Sequence, residues 1–194
     1  MREGTRTRDT RETAISIRVR IDDGHGCSEL ATGYRFFDHM LAAFAFHGGL
    51  GIAGYARSLD GIEHHLIEDV AIVLGGALAD ALGEKSGIER FGTAYVPMDD
   101  ALVRAVVDLS GRPYARIDLP VARERVEDLD VELVGHFFRS LAQALGATLH
   151  LDRIDGSDGH HLIEAAFKAT ARALRAAWHP AATQAPASTK GMLA

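Results

Sequence analysis

The chain has 194 residues, ten histidines and a formal net charge of −6. The length is enough for a sizeable core, and 47% hydrophobic with 25% charged residues is typical of globular proteins, not of disordered or collagen-like ones. The acidic balance disfavours nucleic-acid binding, the single Cys27 excludes an internal disulfide, and no segment resembles a signal peptide or a membrane span. We expect a cytoplasmic protein without nucleic-acid or membrane partners.

The predicted elements occur twice in the same order. In the first half these are strands over 15–21 and 28–32, a helix over about 36–46, a strand over 50–55 and a helix that extends to 82. In the second half they are strands over 103–109 and 114–119, a helix over about 131–145, a strand over 147–151 and a helix that extends to 177. Each half therefore reads roughly β-β-α-β-α.

This order predicts an α+β fold made of two homologous halves, roughly 1–95 and 96–194, in one domain. Each half is expected to form a sheet with helices packed on one face. The mixed-charge residues 2–12 are assigned no element, and residues 83–100, which contain glycines and a proline, are interpreted as the connection between the halves. The tail 180–194 begins with a Pro/Ala-rich stretch and is predicted to be mobile.

A repeated motif carries the chemistry. The pentapeptide HHLIE occurs at 64–68 and again at 160–164. Residues i and i+4 of a helix share a face, so the first histidine and the glutamate of each copy can bind one metal ion. The second histidine points roughly 100° away, towards another centre. A lone histidine is usually structural, but this duplicated arrangement has no evident packing purpose.

Two further histidines, His39 and His136, precede the copies at similar distances. Eight residues thus offer three imidazoles and one carboxylate to each of two metals. They are His39, His64, His65, Glu68, His136, His160, His161 and Glu164. We expect each site to take the His-x-x-x-Glu pair of one repeat and the divergent histidine of the other. Four protein ligands leave two positions of an octahedral ion open, which favours Mn²⁺, although Fe²⁺, Co²⁺ and Zn²⁺ also suit such ligands.

The sequence resembles the imidazoleglycerol-phosphate dehydratase family of histidine biosynthesis. Besides the two repeats, the matching stretches include 32–33, 37–41, 87–92, 97–99, 108–113, 167–168 and 188–191. The resemblance implies an enzyme with two Mn²⁺ ions that dehydrates D-erythro-imidazole-glycerol phosphate to imidazole-acetol phosphate, through an imidazolate and a diazafulvene-like intermediate. It also implies a 24-subunit assembly of trimers with active sites completed at subunit interfaces.

The resemblance also implies roles for single residues. Glu12 is the leading candidate for the general acid/base, and His47 and Asp99 are further catalytic candidates. The expected phosphate-binding residues are Arg90, Arg112, Lys168, Ser188, Thr189 and Lys190.

The chain departs from the family pattern near both repeats. Ile62 and Glu63 stand where the family usually has two aspartates, and Asp158 stands where it has asparagine. These positions predict altered hydrogen bonds around the imidazoles rather than altered ligands. Two other functions remain open: a dinuclear metal-dependent hydrolase of a phosphorylated small molecule, and a metal-storage shell without catalytic activity.

Overall fold

The computed structural model describes residues 2–22, 24 and 26–189. The first half comprises β1 (Glu3–Asp9), β2 (Thr13–Arg20), β3 (Cys27–Ser28), α1 (Arg35–Gly48), β4 (Gly51–Ser58) and α2 (Glu63–Leu82). The second half comprises β5 (Phe91–Met98), β6 (Ala101–Asp108), β7 (Tyr114–Asp118), β8 (Arg125–Val126), β9 (Leu129–Asp130), α3 (Val131–Leu145), β10 (Thr148–Asp155) and α4 (Gly159–Ala177).

The two halves form sheets of the same topology. The strand orders are β1-β2-β4-β3 and β5-β6-β10-β7. In each sheet the first three strands are antiparallel, and the last strand pairs in parallel with its neighbour. The duplicated α+β fold predicted from the repeat is therefore confirmed. The β8–β9 pair stands apart from both sheets.

Two strands of the four-stranded sheets lie where the sequence predicts none, and the short β8–β9 pair was not predicted either. The mixed-charge segment forms β1, an edge strand whose side chains are mostly exposed, so it lacks the alternation that identifies a half-buried strand. The segment interpreted as a connection contains β5, also an edge strand, where Pro97 is tolerated. The sheets are therefore divided between Leu82 and Phe91, before the predicted boundary at 95.

The predicted strand over 28–32 is mostly wrong, because only Cys27 and Ser28 are strand residues. After them the chain leaves the sheet and turns towards α1. The backbone N–H and the hydroxyl of Thr32 both donate to one carboxylate oxygen of Asp38, each at 2.7 Å. This carboxylate in the first turn of α1 holds the turn, so the segment has a local alternative to strand pairing.

Four helices lie between the two sheets. Helix α2 packs on β1 and β2, α4 packs on β5 and β6, and the helices of the two halves pack against one another as α2 with α3 and α1 with α4. The rings of Phe37, Phe137 and Phe167 meet in this layer. The centroid of Phe137 lies 5.5 Å from that of Phe37 and 5.0 Å from that of Phe167. Burial of each ring stabilises the fold by about 1.5–3 kcal/mol. Among the described helices, none is long and apolar enough to cross a membrane.

Two equivalent glycines bring the edge strands directly onto the helices. A Cβ on Gly4 of β1 would overlap the carbonyl oxygen of Ala77 in α2. A Cβ on Gly92 of β5 would overlap the carbonyl oxygen of Ala173 in α4. Backbone blocks both positions, so a side chain cannot be accommodated by a rotamer change. The repeat therefore extends to the strands that the sequence pattern did not predict.

Substitution of these glycines is expected to destabilise the fold. Gly4→Ala and Gly92→Ala should each lower the free energy of unfolding by about 1–3 kcal/mol, because strand and helix must separate. The control is Gly76→Ala in α2, where the nearest atoms belong to the flexible Arg6 side chain, and this variant should be as stable as the wild type or slightly more so. Urea denaturation measures the differences. A Gly92→Ala protein with the wild-type midpoint would contradict this packing.

Candidate metal centre and active site

Both copies of the repeat lie at the first turn of a helix. In α4 the Nε2 atom of His160 lies 3.3 Å from Oε2 of Glu164. In α2 the Nε2 atom of His64 lies 3.5 Å from Oε2 of Glu68. The i, i+4 spacing therefore brings one imidazole nitrogen and one carboxylate oxygen together twice.

A histidine from the other half joins each pair. His39 of α1 places Nε2 3.3 Å from Oε2 of Glu164. His136 of α3 places its ring centroid 4.7 Å from that of His64. We call these sets the His39 group (His39, His160, Glu164) and the His136 group (His64, Glu68, His136). Each combines helices from both halves.

The donor atoms are close enough to bind one ion. In the His39 group all three lie within 4.8 Å of one another, and the same holds for His64 and His136 together with Glu132. Ligands about 2.0–2.2 Å from a shared ion have such separations. Glu132 is not among the predicted ligands. It precedes His136 by one helical turn, so the i, i+4 rule applied to α3 would have identified it.

Glu164 is buried and lies against Lys168 and two imidazoles, those of His39 and His160. Burial alone raises its pKa, but a hydrogen bond from Lys168, 2.7 Å away, and the charges of Lys168 and His39 lower the pKa below its usual value. The carboxylate is therefore ionised at neutral pH. Ionised carboxylates with neutral imidazoles, and no thiolate, suit Mn²⁺, Fe²⁺, Co²⁺ or Zn²⁺.

The second histidine of each repeat points elsewhere. The rings of His64 and His65 are inclined at 79°, and those of His160 and His161 at 78°. Within the described chain, neither His65 nor His161 joins the His39 group or the His136 group. One chain therefore brings the predicted ligands His39, His160 and Glu164 together at one centre, and at the other it places His64 beside both His136 and Glu68.

A carboxylate orients each divergent imidazole. Nδ1 of His65 donates to Asp60 at 2.7 Å, and Nδ1 of His161 donates to Asp100 at 2.8 Å. These hydrogen bonds raise the pKa of both histidines. They also leave Nε2 available to a metal, the usual arrangement of a ligating histidine. Because metals bind the neutral ring, protons compete as the pH falls.

The three catalytic candidates lie at different places. Glu12, in the β1–β2 turn, has Oε2 3.8 Å from Nδ1 of His65. Asp99, in the β5–β6 turn, is exposed and has Oδ2 3.4 Å from Nε2 of His161. His47 lies near the end of α1, where burial and the charges of Lys168 and Arg172 lower its pKa. His47 is therefore neutral at neutral pH.

The predicted phosphate-binding residues fall into two separate sets. Lys168 lies beside Glu164 and Met98, at the end of β5 nearest the metal groups. Arg90 precedes the other end of β5 and pairs with Asp108 at 2.7 Å. At about 3.3 Å per residue, the length of β5 separates the two ends by roughly 23 Å.

The C-terminal tail contacts Arg90. The guanidinium of Arg90 donates to the carbonyl oxygen of Ala187 at 2.6 Å, which places Ser188 and Thr189 near Arg90. Arg112 lies in the turn after β6, whose last residue pairs with Arg90. Lys190 lies outside the described residues. Upstream, the N–H of Ala181 donates to the carbonyl of Gly87 at 2.9 Å, so this part of the tail is held against the chain.

A cavity of about 700 Å³ opens beside His136. Arg123 and Arg139 line it, with apolar side chains that include Val134 and Ile117. Its size suits a small organic molecule. Neither arginine is among the predicted site residues, because nothing in their sequence surroundings distinguishes them from exposed charges.

Comparison with known proteins identifies one family. A family model described as imidazoleglycerol-phosphate dehydratase matches residues 32–174. The imidazoleglycerol-phosphate dehydratase of Salinibacter ruber is 51% identical over 195 residues, covering 100% of this chain and 96% of the relative. That of Cereibacter sphaeroides is 49% identical over 196 residues, covering 100% of both.

Two solved structures of imidazoleglycerol-phosphate dehydratases are similar to this chain over most of its length. The chain aligns with the imidazoleglycerol-phosphate dehydratase of Staphylococcus aureus at 38% identity and a TM-score of 0.81, covering 92% of this chain and 99% of that one. The Pyrococcus furiosus structure gives 39% identity and a TM-score of 0.83, covering 97% and 100%. The chain belongs to the imidazoleglycerol-phosphate dehydratase family.

Proposed function

We propose that the chain dehydrates D-erythro-imidazole-glycerol phosphate to imidazole-acetol phosphate in histidine biosynthesis, with two Mn²⁺ ions bound by the His39 and His136 groups. The two groups carry the proposal, because each combines two imidazoles with one carboxylate and takes its imidazoles from helices of both halves. The family assignment favours this lyase over the hydrolase and the metal-storage shell.

The residues of both groups fit divalent ions. Glu164 is ionised and faces Nε2 of His39 and His160, Glu68 faces Nε2 of His64, and no cysteine competes. When bound, two such ions supply Lewis acidity to the two nitrogens of an imidazole ring. Lys168 holds a positive charge next to Glu164 and suits the substrate phosphate.

Glu12 is the group we propose for proton transfer. Asp100 occupies the β5–β6 turn, equivalent to the β1–β2 turn of Glu12, but its carboxylate is engaged by His161 and by the N–H groups of Ser157 and Asp158. In the first half Asp60 takes the role of binding the divergent histidine. Glu12 is thereby left without a short hydrogen bond to His65, from which it lies 3.8 Å away.

Dehydration removes one carbon-bound proton and one hydroxyl group, which leaves as water. A carboxylate such as that of Glu12 can accept the carbon-bound proton and deliver it to the departing hydroxyl group, so that one water molecule is released. The resulting enol becomes the ketone by a further proton transfer. Neutral His47, near Lys168, is a second group able to exchange protons at the substrate.

We further propose that the active sites are completed between subunits of a cytoplasmic 24-subunit assembly of trimers. His65 and His161 lie outside their own chain's groups, and Lys168 and Arg90 lie at opposite ends of β5. A neighbouring chain would supply the fourth imidazole of each centre and the second set of phosphate ligands. Phe46 and Phe91 are 64% and 59% exposed, which also favours contacts with other chains.

The proposal predicts metal-dependent formation of the ketone. Purified protein with imidazole-glycerol phosphate should form imidazole-acetol phosphate in the presence of Mn²⁺ and none after chelation. His65→Ala and His161→Ala should each lose metal and activity. His150→Ala is the control, because His150 contacts Tyr114 on β7, away from both groups, and should retain both properties. Absence of ketone from protein with stoichiometric Mn²⁺ would contradict the proposal.

The two equivalent turn carboxylates are predicted to differ in function. Glu12→Gln should lower kcat by about 10²–10⁴-fold with unchanged metal content, because it removes only a proton acceptor. Asp100→Asn should weaken metal binding by about 10–100-fold, because it alters the orientation of His161. Steady-state kinetics and metal analysis of both variants distinguish the roles. Loss of metal from Glu12→Gln, or a wild-type kcat, would exclude the assigned role of Glu12.

A further inference from the structure

The β8–β9 pair forms a hairpin, residues 125–130, that is specific to the second half. The corresponding connection of the first half, residues 29–34, contains no strand. Val126 and Leu129 anchor the hairpin, since they are 4% and 1% exposed. Its polar groups contact the first turns of the helices that carry the metal groups.

The hairpin caps α1. The N-cap residue of this helix, Tyr34, makes no side-chain cap. Instead, the carboxylate of Asp128 accepts hydrogen bonds from the backbone N–H groups of Arg35 at 2.7 Å and Phe36 at 2.9 Å. These N–H groups have no partner within the helix. Asp128 thus fixes the turn that leads directly to His39.

The charge of Asp128 suits this role. Burial raises its pKa, but the hydrogen bonds from Phe36 and Arg35 lower it on balance below its usual value. The carboxylate is therefore ionised at neutral pH. A negative charge at a helix N-terminus also interacts favourably with the helix dipole.

The hairpin also binds the start of α2. Glu63, the residue before His64, accepts a hydrogen bond from the backbone N–H of Asp130 at 3.0 Å. Its other oxygen accepts from Arg125 at 3.1 Å. Glu63 stands where the family usually has aspartate, so this departure contributes to a contact between the halves and not to a metal group.

The first turns of α3 and α4 complete the set. The side chain of Asp130 caps α3 by accepting from the N–H of Glu132 at 3.1 Å. Glu127 has Oε1 3.5 Å from Nδ1 of His160. Val126 lies against Gly159, the first residue of α4, where a Cβ would be 2.7 Å from Val126 Cγ2. Six consecutive residues therefore contact all four helices.

We propose that this hairpin is a positioning element that holds His39 in the His39 group through Asp128 and His64 in the His136 group through Glu63. Its effect on metal affinity rests on the proposed function. Without Asp128 the first turn of α1 frays, and metal binding must order it. Without Glu63 the same applies to the first turn of α2.

Titration with Co²⁺ alone, followed by the visible spectrum, tests the two contacts separately. Asp128→Ala should lower the affinity for one of the two ions by about 2- to 30-fold, which is the effect of losing a helix cap, and leave the affinity for the other ion unchanged. Glu63→Ala should lower the affinity for the other ion instead. Asp128→Asn, which keeps an acceptor oxygen, should restore part of the affinity. The control Asp80→Ala removes a surface pair with Arg6 farther along α2 and should affect neither ion.

Hydrogen exchange of the metal-free protein supplies a readout that does not depend on metal. The amides of residues 35–38 should exchange faster in Asp128→Ala than in the wild type and in Asp80→Ala. Unchanged exchange, or two wild-type affinities in Asp128→Ala, would overturn the proposed role of the hairpin. A wild-type protein that binds no Co²⁺ would contradict the proposed function instead, while the exchange comparison would still decide whether Asp128 holds α1.

Discussion

Each candidate metal group depends on a helix from the other half of the molecule. His39 reaches the His160–Glu164 pair from α1, and His136 reaches the His64–Glu68 pair from α3. The donors meet only if α1 packs on α4 and α2 on α3, as the aromatic and aliphatic core between the sheets requires. The contacts that pack the two halves together therefore also bring the donor atoms of each group together. Loosening the helix layer is expected to affect both centres.

The duplication is not perfectly symmetric, and the differences have chemical consequences. Asp100 supports His161 from a hairpin turn, whereas Asp60 supports His65 from the loop before α2. Because Asp60 binds His65, Glu12, which lies in the turn equivalent to that of Asp100, is available for the proposed proton transfer. The 125–130 hairpin occurs once yet contacts helices of both halves. Symmetric repeats thus provide the candidate metal groups, while unrepeated residues provide the proposed proton acceptor and the proposed positioning contacts.

The sequence predicted the parts whose signal is local. The i, i+4 pairs follow from helical spacing, and β2 and β6 follow from alternating burial. The edge strands β1 and β5 were missed because packing against Gly4 and Gly92 produces no apolar alternation. Asp60, Asp100 and Asp128 were missed because exposed aspartates in turns are common, and only the fold shows which of them face a helix end. The separation of Arg90 from Lys168 likewise depends on strand direction, which spacing along the chain does not reveal.

The two-centre arrangement is tested most directly by anomalous X-ray diffraction from crystals of the Mn²⁺-loaded protein, collected on both sides of the manganese absorption edge. Two anomalous peaks per chain are predicted, one within bonding distance of His39, His160 and Glu164, and the other within bonding distance of His64, Glu68 and His136. The fourth imidazole at each peak is expected to be His65 or His161 of a neighbouring chain. A single peak per chain, or peaks away from these groups, would contradict the account.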